Sequence, residues 1–247
     1  MIAQLPTVAP SANYPEFLEA LRSSGFRGQI SADYGTRTVL ATDNSIYQRL
    51  PQAAVFPRDA ADVEMLARLI ALPVHRSVVL TPRGGGTGTN GQSLTDGVIV
   101  DLSRHMNSIL EINVEQRWVR VQSGVVKDQL NAALKPHGLF FAPELSTSNR
   151  ATVGGMINTD ASGQGSCTYG KTRDHVLELS TVLLGGSRLD TRPIDAQQLL
   201  VQTARADRIG EVYRTAQAIA DDKAALIEAI FPKLNRCLTG YDLAHLR

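Results

Sequence analysis

The apolar and polar positions of this chain follow two textures, and the change between them falls near His105. Before it, Pro15 to Ser24 places apolar residues at helical spacing, and Gly25 stands where a helix C-cap takes positive φ. Val55-Phe56-Pro57 reads as a short strand stopped by its proline. Asp59 can cap a helix from Ala60 to about Leu72, where Val63, Leu66, Ala67 and Ile70 share one face. Val78 to Thr81 and Gly97 to Leu102 read as buried strands on either side of a glycine-rich loop. Strand, helix, strand and a further strand predict a small, mostly parallel sheet.

After His105, Ile109-Leu110-Glu111-Ile112 and Trp118-Val119-Arg120-Val121 alternate apolar with polar, as in an antiparallel hairpin. A helix from Val125 to about Leu134 is closed off by Pro136 and Gly138, and a helix-like start follows at Ala151 to Ile157. Asp160 to Lys171 is small and polar. Val176 to Leu184 reads as a strand that turns at Gly185-Gly186 into Arg188-Leu189-Asp190. Asp195 to Val201 and Asp207 to about Ile230 are helical, the second in two pieces. The expected class is α+β. A helical leader (residues 1–45) precedes a small α/β subdomain (46–105), and an antiparallel sheet with flanking helices follows (106–247).

Composition narrows the function classes without choosing among them. With 43% hydrophobic and 20% charged residues, the chain can bury a real core. A net charge of +1 gives no basic surface for nucleic acid, and no apolar run approaches the roughly 20 residues of a membrane span. Two cysteines, Cys167 and Cys237, are too few for an iron–sulfur or Cys-based zinc site and suit a reducing cytoplasm, so both read as small, half-buried hydrophobes.

Three phosphate-binding readings compete. Gly86-Thr87-Gly88-Thr89-Asn90-Gly91 satisfies G-x-G-x-x-G, which signals a Rossmann site only where a crossover helix follows. Here only Gln92 to Asp96 separate it from the next strand, and a crossover needs about 10–12 residues. Gly165 to Thr172 satisfies G-x-x-x-x-G-K-T, yet the polar stretch Asn158 to Gln164 before it cannot be a buried strand, and a strand rather than a helix follows. The third reading takes Pro82-Arg83-Gly84-Gly85-Gly86-Thr87-Gly88-Thr89-Asn90 as a backbone nest. Successive N–H groups converge there on an anion, Arg83 adds charge, and Thr87 and Thr89 add hydroxyls. A flexible surface loop is the plain alternative, disfavoured by the strands on both sides.

These residues carry a resemblance. Val55-Phe56-Pro57-Arg58, Thr81 to Gly88, Val100 to Ser103, Val121 to Val125, Pro143-Glu144-Leu145-Ser146, Ala151 to Gly163 and Tyr169-Gly170 occur in one order from about Val55 to Asp190. Together they resemble the FAD domain of the vanillyl-alcohol oxidase and p-cresol methylhydroxylase type. The nearest branch is the FAD-linked dehydrogenases of D-lactate, glycolate and D-2-hydroxyglutarate, and within it the bacterial proteins fused to an iron–sulfur region. Phe231 to Arg236 and Gly240 to Leu243 resemble the stretch just before the last FAD-binding strands of that group.

The resemblance implies a two-subdomain FAD fold whose second subdomain is C-terminally incomplete. It implies a pyrophosphate loop at Pro82 to Asn90, and a second contact set at Pro143, Ser146, Thr147, Gly154, Gly155, Asn158, Ala161, Ser162 and Gly163. Gly154 and Gly155 would let backbone approach the cofactor closely. Many relatives carry asparagine where this chain has Asp160, so that carboxylate is expected to point away from the phosphates or to pair with Arg83, Arg150 or Lys171. Relatives that hold FAD covalently use a histidine in the first loop. Gly84 to Thr87 has none, so noncovalent FAD is implied, with Cys167 a remote alternative attachment point.

Oxidation of a 2-hydroxy acid needs a base for the hydroxyl proton and a cation for the carboxylate. In the branch these groups, with a histidine-rich metal site and any iron–sulfur cluster, lie outside the stretch matched here. His75, His105, His137, His175 and His245 are scattered and read as surface or capping residues, so no catalytic or metal-binding residue is assigned. A small 2-hydroxy acid and an electron acceptor are the implied partners, and an oligomer is compatible. A non-catalytic remnant of the fold is the alternative reading.

Overall fold

The structure is a computed structural model that describes residues 13–233 and 242–246. Its first sheet has four strands in the order β1 (Gln29–Ser31), β2 (Ala53–Phe56), β4 (Val98–Asp101), β3 (Leu80–Arg83). β2 and β3 run parallel to β4, with Ala53 opposite Val98 and Leu80 opposite Val98 across the two ladders. β1 runs antiparallel to β2. β2 and β4 are buried on both faces, which explains their unbroken apolar runs.

Residues expected to be a separate leader are built into this sheet. The helix α1 (Asn13–Ser23) buries Phe17, Leu18 and Leu21 in one core with Val55, Leu66, Val78 and Val98. β1 follows, then the helix α2 (Tyr34–Leu40), N-capped by Asp33. The boundary expected at residue 45 therefore divides nothing, because Phe17 and Leu21 find their burial only beneath the sheet.

The helix α3 (Ala60–Ile70) is capped as expected by Asp59, whose Oδ1 accepts from Ala61 N at 3.0 Å and Asp62 N at 3.2 Å. No helix separates β3 from β4, so the Rossmann reading fails on connectivity.

The second texture forms a hairpin of β5 (Ile109–Asn113) and β6 (Trp118–Val121), followed by the helices α4 (Lys127–Leu134) and α5 (Val153–Asn158). Val125, Leu130, Leu134 and Val153 form its core against Ile109, Ile112, Val119 and Val121. A four-residue helix, α6 (Ser166–Tyr169), leads through a 3-10 turn to a second hairpin, β7 (Leu179–Val182) with β8 (Arg188–Thr191). The expected strand at Val176 to Leu184 is shorter because Val176 N donates to Arg173 O and closes the preceding turn instead.

Among the described residues the two hairpins are separate ladders and not one antiparallel sheet. The β7–β8 turn, with Gly185 and Gly186 both at positive φ, leans on α3: Gly185 N donates to Ala67 O at 3.0 Å, and Arg188 pairs with Glu64. The helices α7 (Ala196–Thr203), α8 (Arg208–Asp222) and α9 (Ala224–Ile230) follow, the last two being the expected pieces of one helical stretch. Among the described residues no helix is long and apolar enough to cross a membrane.

Candidate FAD site

β3 ends at Arg83 and releases the chain into the glycine loop, which returns at β4. Its bends are tolerable only to glycine. Gly86 sits at φ +63, and a Cβ on Gly84 or Gly85 would lie 2.2 Å from Thr152 Oγ1 or 2.0 Å from Arg150 O. The loop is thus pressed against residues 150–152, and the two glycine motifs, some seventy residues apart in sequence, become one surface.

The backbone donors of that surface fall on one side of it. At α5 the N-terminal N–H groups are used within the protein. Val153 N donates to Val125 O at 2.8 Å, Gly154 N to Ser123 O at 2.8 Å, and Gly155 N to Thr152 Oγ1 at 3.3 Å. In the loop the position is reversed. Among the described residues the N–H groups of Gly84 through Thr89 have no intramolecular acceptor, and the series ends where Asn90 N donates to Gln92 Oε1 at 3.0 Å. Six successive free donors in a glycine-rich bend suit a diphosphate.

A cleft of about 1060 Å³ opens beside the loop. Thr87, Gly88, Thr89, Asn90 and Gln92 line one side, and Ile157, Asn158, Thr159 and Asp160 at the end of α5 continue it. Of the residues singled out from sequence, Thr87 to Asn90 and Asn158 line this cleft. Gly84, Gly85, Gly154 and Gly155 stand at the contact between the motifs. Pro143 is buried, Ser146 is exposed, and Thr147 supplies the carbonyl that accepts from Arg150 N and Ala151 N. Ala161 O accepts from Thr172 N and Oγ1, Ser162 is half-buried, and a Cβ on Gly163 would fall 2.3 Å from Glu144 O. Close approach at Gly154 is to Ser123, 2.7 Å from where its Cβ would be, and not to open space. Gly155, by contrast, is exposed.

Two charged residues stand differently from their expected roles. Arg83 turns inward: it is 7% exposed and donates to Thr42 O at 2.7 Å and Leu40 O at 3.4 Å. Burial pushes its pKa down and nearby Arg150 adds to this, while Asp101 and Asp43 oppose them. The carboxylate of Asp43 is held below the usual range. Burial works against its charge, but the hydrogen bonds from Ser45 and Ser93 and the charge of Arg83 outweigh that. Asp160 pairs with Lys171 Nζ at 2.8 Å and accepts from Arg173 N at 3.1 Å. Of the three partners expected for it, Lys171 is the one it meets.

Lys171 is 3% exposed and committed to that ion pair, and Gly170 before it ends a helix of four residues, so the G-K-T pattern builds no nucleotide loop. Cys167 is exposed, not half-buried as expected, and it is not among the residues lining the cleft; Cys237 lies outside the described residues. His75 is also unlike its expectation, being buried edge-on against Phe17 with ring centroids 5.3 Å apart.

Sequence reading missed a further part of the cleft lining. Ala220, Ala224, Ile227 and Phe231 belong to it, with Leu243 and Ala244. The first four are spaced by 4, 3 and 4 residues, a helical period present in the sequence but not distinguishable there from ordinary core packing.

The arrangement is that of a flavin-nucleotide fold. An alkyldihydroxyacetonephosphate synthase structure superimposes with a TM-score of 0.67 at 24% identity, covering 79% of this chain and 37% of that one. The 6-hydroxy-D-nicotine oxidase of Arthrobacter nicotinovorans gives 0.61 at 22% identity, covering 71% and 38%. These likenesses show the fold alone. The family described as "FAD binding domain" matches residues 51–192, and the chain belongs to it. The D-2-hydroxyglutarate dehydrogenase of Pseudomonas putida is 80% identical over all 247 residues, and that of Escherichia coli 58% identical over 230 residues, 93% of this chain. The chain spans 25% of the first protein's length and 23% of the second's.

Proposed function

We propose that this chain is the FAD-binding module of a dehydrogenase that oxidises a D-2-hydroxy acid of the D-2-hydroxyglutarate or D-lactate type. The observation that carries the reading is the run of free N–H donors from Gly84 to Thr89, whose last three residues line a cleft large enough for a dinucleotide. The names of the relatives support the substrate class.

Bound FAD would supply the acceptor for a hydride from C2 of the hydroxy acid. The residues of this chain do the holding. Gly84 to Thr89 would donate backbone hydrogen bonds to the diphosphate, Thr87 and Thr89 would add hydroxyls, and Asn158 lines the continuation of the cleft. Ala220, Ala224 and Ile227 would add apolar surface to the same lining. FAD is held noncovalently in this reading, since Gly84 to Thr87 contains no histidine for attachment and Cys167 is not among the residues lining the cleft. The base, the metal and the electron acceptor are assigned to other parts of the whole protein, and an oligomer remains compatible. The low cysteine count supports a cytoplasmic location.

Purification tests the binding reading. The chain is expected to carry, or to take up on reconstitution, a yellow flavin that survives gel filtration and is released as intact FAD on denaturation. A colourless protein that fails to quench the fluorescence of added FAD overturns it.

A further inference from the structure

The glycine loop is flanked by two arginines whose circumstances are opposite. The side chain of Arg83 is enclosed beneath the loop. Its Nη2 donates to Thr42 O, its Nη1 reaches Leu40 O and Ser93 Oγ, and Ser93 Oγ in turn donates to Asp43 at 2.9 Å. The loop is folded over this guanidinium so closely that a Cβ on Gly86 would sit 2.6 Å from Nη2, and Gly86 O accepts from Asn44 N at 3.0 Å. Swinging Arg83 outward would break each of these bonds.

Arg150 is exposed. Its Nη2 donates to Gly85 O at 3.2 Å, and among the described residues it has no carboxylate within ion-pair distance. A guanidinium has five N–H donors, so most of this one's remain available beside the free backbone donors.

We propose that the two arginines divide the work of the loop: Arg150 supplies the cation that faces the diphosphate, and Arg83 is a positioning residue that fixes the loop to the backbone at Leu40 and Thr42. The inference rests on the FAD reading above. It predicts different chemistry at the two positions. At Arg150 charge is what counts, so lysine serves nearly as well. At Arg83 the planar fork bridges two carbonyls and a hydroxyl, which an ammonium does not reproduce.

The test is the affinity of the 247-residue chain for FAD, by flavin fluorescence quenching, at several ionic strengths, with riboflavin as the ligand lacking phosphates. R150Q is expected to weaken FAD about tenfold, the scale of one charge-assisted hydrogen bond, and to flatten the salt dependence. It should leave riboflavin binding and the melting temperature unchanged, and R150K should restore most of the loss. R83K is expected to weaken FAD while keeping the wild-type salt slope, and Gly86→Ala, which presses on Nη2 without removing charge, should do the same. The proposal is overturned if R150Q binds FAD as the wild type does, or if R83K and Gly86→Ala keep full affinity. A wild-type chain that binds no FAD at all would instead overturn the module reading on which the proposal stands.

Discussion

Lys171 and Asp160 form an ion pair at 2.8 Å in which the lysine is 3% exposed and the aspartate 24%. Asp160 reaches this position from φ +44, a left-handed conformation just past the end of α5, where asparagine and aspartate are better tolerated than other side chains. The pair neutralises a carboxylate that lines the cleft and ties the end of α5 to the turn at residues 172–175. It also occupies the lysine on which a nucleotide-loop reading would depend.

Removing one member should therefore cost more than removing both. D160N leaves Lys171 enclosed without a counter-charge, and a loss of about 3 kcal/mol is expected, at the lower end for buried pairs because Asp160 is partly exposed. The double variant D160N/K171M should recover a large part of it. Urea unfolding monitored by circular dichroism checks both, and an unchanged D160N midpoint would contradict the role given to the pair.

Gly85 and Gly155 separate close packing from free approach. A Cβ on Gly85 would lie 2.0 Å from Arg150 O and 2.8 Å from its carbonyl carbon, so Gly85→Ala must part the two motifs. It is expected to destabilise the fold by about 1–3 kcal/mol and to abolish FAD binding. On Gly155 the Cβ would meet only Thr152 Oγ1, at 3.2 Å. Gly155→Ala should keep the wild-type melting temperature, so any weakening of FAD there reports backbone approach to the cofactor. Thermal melts with and without FAD distinguish the two.

Thr152 joins the motifs through one side chain. It is 2% exposed, caps α5 by accepting from Gly155 N, and fills the space beside Gly84. Thr152→Ala is expected to cost about 1 kcal/mol through the lost cap. Thr152→Ser should retain most of that stability, measurable as the difference in denaturant midpoints.

Acid stability should depend on Asp33. Its carboxylate accepts from Ser31 Oγ, from Thr36 N at 2.8 Å and from Thr36 Oγ1 at 2.7 Å, and these bonds lower its pKa from 3.8 to about 2. A depressed folded-state pKa stabilises the fold above the unfolded value and loses that stabilisation as pH falls through the folded one. The contribution should thus be full above about pH 4 and disappear toward pH 2. Melting temperatures across this window should fall less steeply in Asp33→Asn than in the wild type.

The sequence by itself determined the local elements and their order. Caps such as Asp59, Asp195 and Asp207, the period of α3, and the alternation in β5 and β6 depend on neighbours a few residues away. The glycine loop was legible for the same reason, and the resemblance read from Val55 to Asp190 coincides with the family match over residues 51–192. Only the tertiary structure decided what each piece was pressed against. β1 is three residues long and carries no period, so its pairing with β2 depends on a sheet formed from distant segments. Which arginine turns inward follows from carbonyls at Leu40 and Thr42, some forty residues upstream of Arg83. Ala220, Ala224 and Ile227 in the cleft lining are apolar at helical spacing, and that pattern says only that a face is covered. That this face lines the same cleft as Thr87 to Asn90 is a consequence of long-range packing, which no local period encodes.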